Sequence, residues 1–326
     1  MANAIYRFVM ATFICDISAI KYWFGDREPW PLPSLLAEVP SFSKPVASWR
    51  DLPMDQLGSL GISLEVGERL HLAVPEQRMM RHTKRIATHL RANPPPGTFI
   101  RLSRDVYMES PVSALMRCGS AFSDGELAKL LYQLVGPFCL SGGRTVSCEP
   151  LMTMADIYKF FAGASGAHGV KRLRSLLPYI APGAASMREC EVGVLLFLPP
   201  RMGGRGLPVP LLNHRVAPQV AALDITRFAD YLWKVYKLIL EYDSDEFHVG
   251  ADKIGMDAAR RTQLQVEGYE VVTLTNYQLK RKAEFEDVVG RLMQAMGLKP
   301  KTGLIPDFSA RESQLRREVL GIDWLE

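Results

Sequence analysis

Three acids in the C-terminal third of the chain have the types and spacing of a metal site. Two β-rich runs, Arg227–Trp233 and residues 237–243, flank a short Lys-Val-Tyr connection, which is the spacing of a hairpin. Side chains alternate between the two faces of a strand, so Glu241 and Asp243 share one face. If the hairpin is symmetric about its midpoint, Asp230 lies opposite Glu241, with Cβ atoms roughly 5 Å apart. Three carboxylates then crowd one patch.

Carboxylates opposed in this way repel each other and destabilise a sheet unless something compensates their charge. A divalent cation does so, because carboxylate oxygens are the ligands that hard cations take in proteins. Asp230 also lies between Phe228 and Leu232, so we expect it to be partly buried, and buried carboxylates are normally paired or bound to metal. The sequence therefore predicts one divalent-cation site formed by Asp230, Glu241 and Asp243.

The elements around these acids predict a sheet with helices. Residues 186–198 are apolar enough for a buried helix, and Leu211–Val216 is the first expected strand. After the acids, residues 257–267 have helical spacing, and Gly268 suits the residue that follows a helix. Residues 271–275 are a β-branched run. The expected order is helix, strand, strand, strand, helix, strand, in which the second helix crosses over the sheet.

The same residues in this order resemble the PD-(D/E)XK nuclease superfamily, and within it the branch similar to the very-short-patch-repair endonuclease. The resemblance covers about residues 186–297. It rests on short signals in the branch's order: Ser186 and Glu189 at a helix start, Asp230, Glu241-Tyr242-Asp243, His248, Asp257 with Arg260, and Gly268. One position departs from the superfamily's pattern, because Asp243 stands where its name places a lysine.

The resemblance implies an endodeoxyribonuclease that depends on Mg²⁺ or Mn²⁺ and hydrolyses phosphodiesters. Its catalytic residues would be Glu189, Asp230, Glu241, Asp243 and His248. Arg260 and Arg261 are candidate DNA contacts, although adjacent helix positions cannot both face the sheet. The triplet Lys280, Arg281 and Lys282 is expected to contact DNA because its positive charges cluster in a chain whose net charge is only +4. The alternative from another class is a non-catalytic, DNA-binding regulator of the antitoxin type, in which the nuclease fold is only a scaffold.

Length and composition are those expected of an ordinary soluble protein. The chain has 326 residues, is 48% hydrophobic and 23% charged, and carries a net charge of +4, which permits a DNA partner without demanding one. Its five cysteines are odd in number and far apart, which favours a reducing, cytoplasmic location over a disulfide framework. Its apolar runs are too short to span a bilayer, so no membrane association is expected. The oligomeric state is open.

We expect an α/β fold with three parts. Residues 1–185 form a mixed, α-rich N-terminal region whose layout loosely resembles abortive-infection type IV antitoxin-like proteins. Residues 186–297 form a three-layer α/β/α core like that of restriction endonucleases. Residues 298–326 form a tail with a helix over residues 309–320.

Two stretches of the N-terminal region carry expectations of their own. Residues 4–13 are expected to form a helix, followed by a second one capped by Asp16. Residues 77–92 contain seven basic side chains and no acid. They are expected to form either a solvated surface next to a strand or a phosphate-binding element.

Overall fold

The computed structural model describes residues 11–28, 45–216, 227–243 and 267–325. The chain forms two compact units: the first comprises Met1–Phe122 and Phe138–Ser175, and the second comprises Ser123–Pro137 and Leu176–Glu326. The predicted boundary between the N-terminal region and the core, between residues 185 and 186, differs from this division. In the structure, residues 123–137 and the C-terminal tail are part of the second unit.

The described residues contain both strands and helices in each unit. The strands are β1 Thr12–Ile14, β2 Leu70–Val74, β3 Ile86–Leu90, β4 Phe99–Arg101, β5 Val106–Glu109, β6 Phe138–Ser141, β7 Arg144–Ser147, β8 Leu211–Val216, β9 Arg227–Trp233, β10 Leu238–Asp243 and β11 Glu270–Thr275. The α-helices are α1 Asp16–Phe24, α2 Met54–Ser59, α3 Pro111–Cys118, α4 Asp124–Val135, α5 Met154–Gly163, α6 Val170–Leu176, α7 Met187–Phe197, α8 Asn276–Lys280, α9 Lys282–Ala295 and α10 Phe308–Leu320. The fold is therefore α/β, as predicted.

The first unit is built on a five-stranded mixed sheet in the order β3-β2-β1-β5-β4. Its central strand β1 is parallel to β5 and antiparallel to β2. The expectation of a helix over residues 4–13 is wrong for residues 12 and 13, which belong to β1, and residues 4–10 lie outside the described residues. Phe13 and Ile14 are fully buried between two neighbouring strands, and their large β-formers fit a sheet better than a short helix.

The second unit contains a four-stranded sheet in the order β11-β10-β9-β8. Strands β8, β9 and β10 are antiparallel, and β11 runs parallel to β10. The strands β8 and β9 begin and end as the sequence predicts. A parallel pair needs a crossover connection between its strands. The predicted helix over residues 257–267 stays a prediction, because residues 257–266 lie outside the described residues.

Helix α7 packs on one face of this sheet through Phe197, whose ring contacts those of Tyr231 and Trp233. On the other face, Leu232 and Ile239 form a buried cluster with Val271 beside it. Because side chains alternate along the strands, Asp230 and Glu241 share the face of this cluster and lie opposite the face that docks α7.

Helices α4 and α10 also pack on α7 and on each other, which explains why both belong to the second unit. Helix α4 starts with a capping box between Ser123 and Glu126, as its sequence predicts. Close packing of α4 on α7 requires a glycine, because a Cβ at Gly193 would lie 2.9 Å from the ring of Tyr132. Among the described residues, no helix is both long enough and apolar enough to cross a bilayer.

Candidate functional site

The hairpin β9–β10 has the register that the acid pattern predicts. Leu238 pairs with Trp233 and Leu240 with Tyr231, so the next pair in the same register is Glu241 with Asp230. On its other side, Glu241 pairs with Thr273 of β11. The acids thus lie on central strands of the sheet.

The three acids differ in exposure. Asp230 and Glu241 are half-buried, and Asp243 is exposed at the end of β10. The Asp230 carboxylate accepts a hydrogen bond from the backbone N–H of Tyr242, at 2.8 Å. This bond directs the carboxylate towards Tyr242, away from the turn of the hairpin. Both Asp230 and Glu241 have further interactions within the protein.

The structure brings the three acids onto one face without gathering their oxygens. Within the described part of the chain, only one group of three His, Cys, Asp or Glu residues has its ligand atoms within 4.8 Å of one another. This group lies in the first unit and consists of Cys15, Asp16 and Glu109. Binding of a cation by Asp230, Glu241 and Asp243 therefore requires their side chains to turn inward.

Glu189 lies in the first turn of α7 and joins that helix to β8. Its carboxylate accepts hydrogen bonds from the Ala185 N–H at 2.8 Å, the Ser186 hydroxyl at 2.8 Å and the Asn213 amide at 2.5 Å. Asn213 adopts a left-handed backbone, with φ of 44°, which interrupts the strand and directs its side chain to α7. Glu189 is thus held rigidly near the sheet.

Tyr231 couples α7 to the acid-bearing strand and was not found from the sequence. Its hydroxyl donates to the backbone carbonyl of Glu189 at 2.9 Å, and its ring is fully buried. Burial, and then the negative charges of Glu189 and Asp230, hold the pKa of Tyr231 well above its usual range. The alternating pattern of β9 could have indicated its burial but not its partner.

The basic triplet Lys280, Arg281 and Lys282 lies at the junction of α8 and α9. The Arg281 guanidinium stacks on the ring of Tyr277, 3.9 Å from its centroid, and this ring is half exposed. Lys282 is exposed. A cation held on an exposed aromatic ring is a feature of surfaces that bind nucleic acid strands.

Three predicted site residues, His248, Arg260 and Arg261, lie outside the described residues. Their roles stay predictions.

The first unit contains a buried ionic cluster that sequence reasoning missed. Glu109 is fully buried and accepts from Arg91 Nε at 3.1 Å, from Ser113 Oγ at 2.9 Å and from the Asp16 N–H at 2.9 Å. Arg91 also donates to Asp16 at 2.6 Å. Arg91 is therefore unable to contact phosphate, which corrects the prediction for that end of the basic segment 77–92.

The charges of this cluster stabilise one another. Burial alone raises the pKa of Asp16, but the charges of Arg91 and His89 outweigh it, so that its pKa lies below the usual value. Burial alone lowers the pKa of Arg91, but the charges around it, that of Glu109 first, outweigh burial and raise this pKa above its usual value. One sequence signal could have indicated the cluster. Arg91 directly follows β3 and Glu109 ends β5, and a charge at the end of an apolar strand is normally paired if it is buried.

Two histidines lie next to this cluster. His89 Nε2 lies 3.0 Å from His71 Nδ1, and the rings are nearly parallel. Burial lowers the pKa of both side chains, so both imidazoles are neutral at pH 7.

Comparisons with known proteins leave the activity open. No family model and no solved structure matches this chain. The chain is similar to two proteins of Mycobacterium tuberculosis, from the strains CDC 1551 and H37Rv, that are both named uncharacterized proteins. Each is 25% identical over 222 residues, which cover 68% of this chain and 72% of the relative.

Proposed function

We propose that this protein is a metal-dependent nuclease that binds DNA and hydrolyses its phosphodiester bonds at Asp230 and Glu241. The observation that carries the proposal is the register of β9 and β10, which sets these two acids side by side at the centre of a mixed sheet. The order of α7, β8, β9, β10, a crossover and β11 agrees with the resemblance to the PD-(D/E)XK superfamily.

The donor set suits a hard divalent cation. Asp230, Glu241 and Asp243 offer carboxylate oxygens, the ligand type that Mg²⁺ and Mn²⁺ prefer. When bound, such a cation polarises the scissile phosphate and lowers the pKa of a bound water. Asp230 is already oriented by the Tyr242 N–H, and Asp243, exposed at the strand end, can hold the attacking water.

The second unit also supplies a surface for the DNA. Lys280 and Lys282 flank Arg281, which is stacked on Tyr277. Such positive side chains neutralise phosphates, and this type of contact provides most of the affinity for DNA regardless of sequence.

A non-catalytic DNA-binding regulator is the second candidate. Two observations favour it. Asp243 is an acid in the position of the superfamily's lysine, and the carboxylate oxygens of Asp230, Glu241 and Asp243 are not gathered around one point. A regulator of this kind keeps the fold and the basic surface but needs no cation.

A nicking assay on supercoiled plasmid with Mg²⁺, Mn²⁺ or EDTA separates the two. We expect nicking with either metal, none with EDTA, and a loss of at least tenfold in Asp230→Asn and Glu241→Gln. Asp287→Asn is the matched control, because Asp287 is an exposed acid of α9 paired with Arg291. Intact plasmid in all reactions, with DNA binding that is the same with and without Mg²⁺, would support the regulator.

A further inference from the structure

Three of the six histidines of the chain lie on one face of the sheet of the first unit. His71 of β2 pairs with Ala87 of β3, and a bridge pairs His82 with the same alanine. Cross-strand partners share a face, and His89, two residues beyond Ala87, shares it too.

Two of these imidazoles already have the spacing of ligands to one metal ion. The distance of 3.0 Å joins His71 Nδ1 to His89 Nε2. Two nitrogens that each lie about 2.0–2.1 Å from the same ion are separated by roughly 3.3–3.4 Å at the tetrahedral angle of Zn²⁺, and by roughly 2.9 Å at the right angle of square-planar Cu²⁺ or Ni²⁺. The separation thus fits both a hydrogen bond between the rings and a shared ion.

The other ring nitrogen of His89 faces a carboxylate. His89 Nδ1 lies 3.4 Å from the Asp16 carboxylate, which Arg91 fixes at 2.6 Å. A histidine that binds a metal usually donates its second ring N–H to a carboxylate, which fixes the tautomer and orients the ring. A small rotation of the His89 ring would shorten this distance to a hydrogen bond, in which Nδ1 donates to Asp16 and Nε2 keeps its lone pair for a metal ion.

We propose that His71, His89 and His82 bind a transition-metal cation of the Zn²⁺ type, with Asp16 as the carboxylate that orients His89. Imidazole ligands favour Zn²⁺, Ni²⁺ or Cu²⁺ over Mg²⁺, which separates this site chemically from the acids of the second unit.

His82 completes the site by turning its side chain over Ala87. It is exposed, and two strand spacings, roughly 10 Å, separate its backbone from that of His71. A cavity of about 730 Å³ along α1 is lined in part by His71.

The neighbouring group of Cys15, Asp16 and Glu109 does not offer a competing cation site. Its ligand atoms lie close together, but the Arg91 guanidinium already binds both carboxylates and supplies the positive charge.

Titration of the untagged full-length protein with Co²⁺, followed by its visible absorption and by calorimetry, tests the proposal. An Asp230→Asn, Glu241→Gln background keeps the acids of the second unit out of the measurement, so failure of the proposed nuclease site does not affect the result. We expect one saturable Co²⁺ site per chain in this background. His71→Gln and His89→Gln should each weaken binding at least tenfold, and His82→Ala should weaken it less.

The matched control is His168→Ala, which removes an exposed histidine of the same unit and should leave the affinity unchanged. Unchanged affinity in His71→Gln and His89→Gln, or no saturable binding at all, would overturn the site. Circular dichroism in EDTA checks that the variants fold.

X-ray absorption on the Zn²⁺-loaded background protein tests the site without any histidine variant. Scattering from at least two imidazoles around the ion is expected, and a shell of oxygens alone would overturn the assignment.

Discussion

At the scale of single residues, the contribution of the Asp230 charge to stability can be measured apart from that of its hydrogen bond with Tyr242. Asparagine can still accept from the Tyr242 N–H, whereas alanine leaves that donor unsatisfied. In EDTA we expect the free energy of unfolding of Asp230→Asn to lie within about 0.5 kcal/mol of the wild-type value, because this substitution also removes repulsion from Glu241. Asp230→Ala should cost about 1–3 kcal/mol. Urea denaturation measures both, and equal losses in the two variants would mean that the charge itself stabilises the strand.

Arg91 is the residue on which the buried cluster of the first unit depends. Its removal leaves Glu109 and Asp16 without their counter-charge, and breaking a buried ion pair in this way costs about 3–5 kcal/mol. Arg91→Ala should therefore lower the free energy of unfolding by that amount. Arg78→Ala is the control, because Arg78 is exposed and its pair with Glu76 contributes about 0–1 kcal/mol. Similar losses in both variants, measured by chemical denaturation, would contradict the cluster.

At the scale of elements, the contact between α4 and α7 depends on Gly193. Alanine normally stabilises an exposed helix position by about 1 kcal/mol relative to glycine. At Gly193 its methyl group would meet the Tyr132 ring at 2.9 Å, so Gly193→Ala should instead cost about 1–3 kcal/mol.

Gly290 of α9 provides the comparison for Gly193, since a Cβ there meets no atom within 4 Å. Gly290→Ala should raise the melting temperature while Gly193→Ala lowers it. A shift in the same direction for both would contradict the packing of α4 on α7.

The junction of α8 and α9 is the element that we expect to bind DNA. Replacement of Lys280 and Lys282 by glutamine should weaken binding and reduce the slope of log affinity against log salt by about 1–2, because each lysine that neutralises a phosphate adds roughly one unit to that slope. Lys299→Gln, an exposed lysine of the same unit, is the control. An unchanged slope, measured by fluorescence anisotropy at several salt concentrations, would remove the triplet from the interface.

At the scale of the whole molecule, two sites of different ligand type are proposed in two separate compact units. A cation that binds only the folded state adds RT ln(1 + [L]/Kd) to the stability of its unit. Mg²⁺ should therefore slow hydrogen exchange in β9 and β10, and Zn²⁺ should slow it in β2 and β3. Exchange measured by mass spectrometry with each ion alone checks this, and protection of the same strands by both ions would contradict two chemically distinct sites.

The sequence by itself determined the hairpin and the strands around it. Alternation along residues 227–243, with a three-residue connection, was enough to predict the pairing that leads from Leu238 and Trp233 to Glu241 and Asp230. Such local patterns are readable because one face of a strand must be apolar and a slip of one residue would expose it.

Only the tertiary structure decided which distant residues meet. Asp16, His71, Arg91 and Glu109 are far apart in sequence. Charges at the ends of apolar strands indicate that some of these side chains are buried, but no local pattern shows which of them meet. Burial of a charge is tolerated only where the fold supplies a partner, and that partner is set by strand order, which places β1 between β2 and β5. For the same reason, strand β1 was mistaken for a helix, because a short apolar run takes its structure from its neighbours.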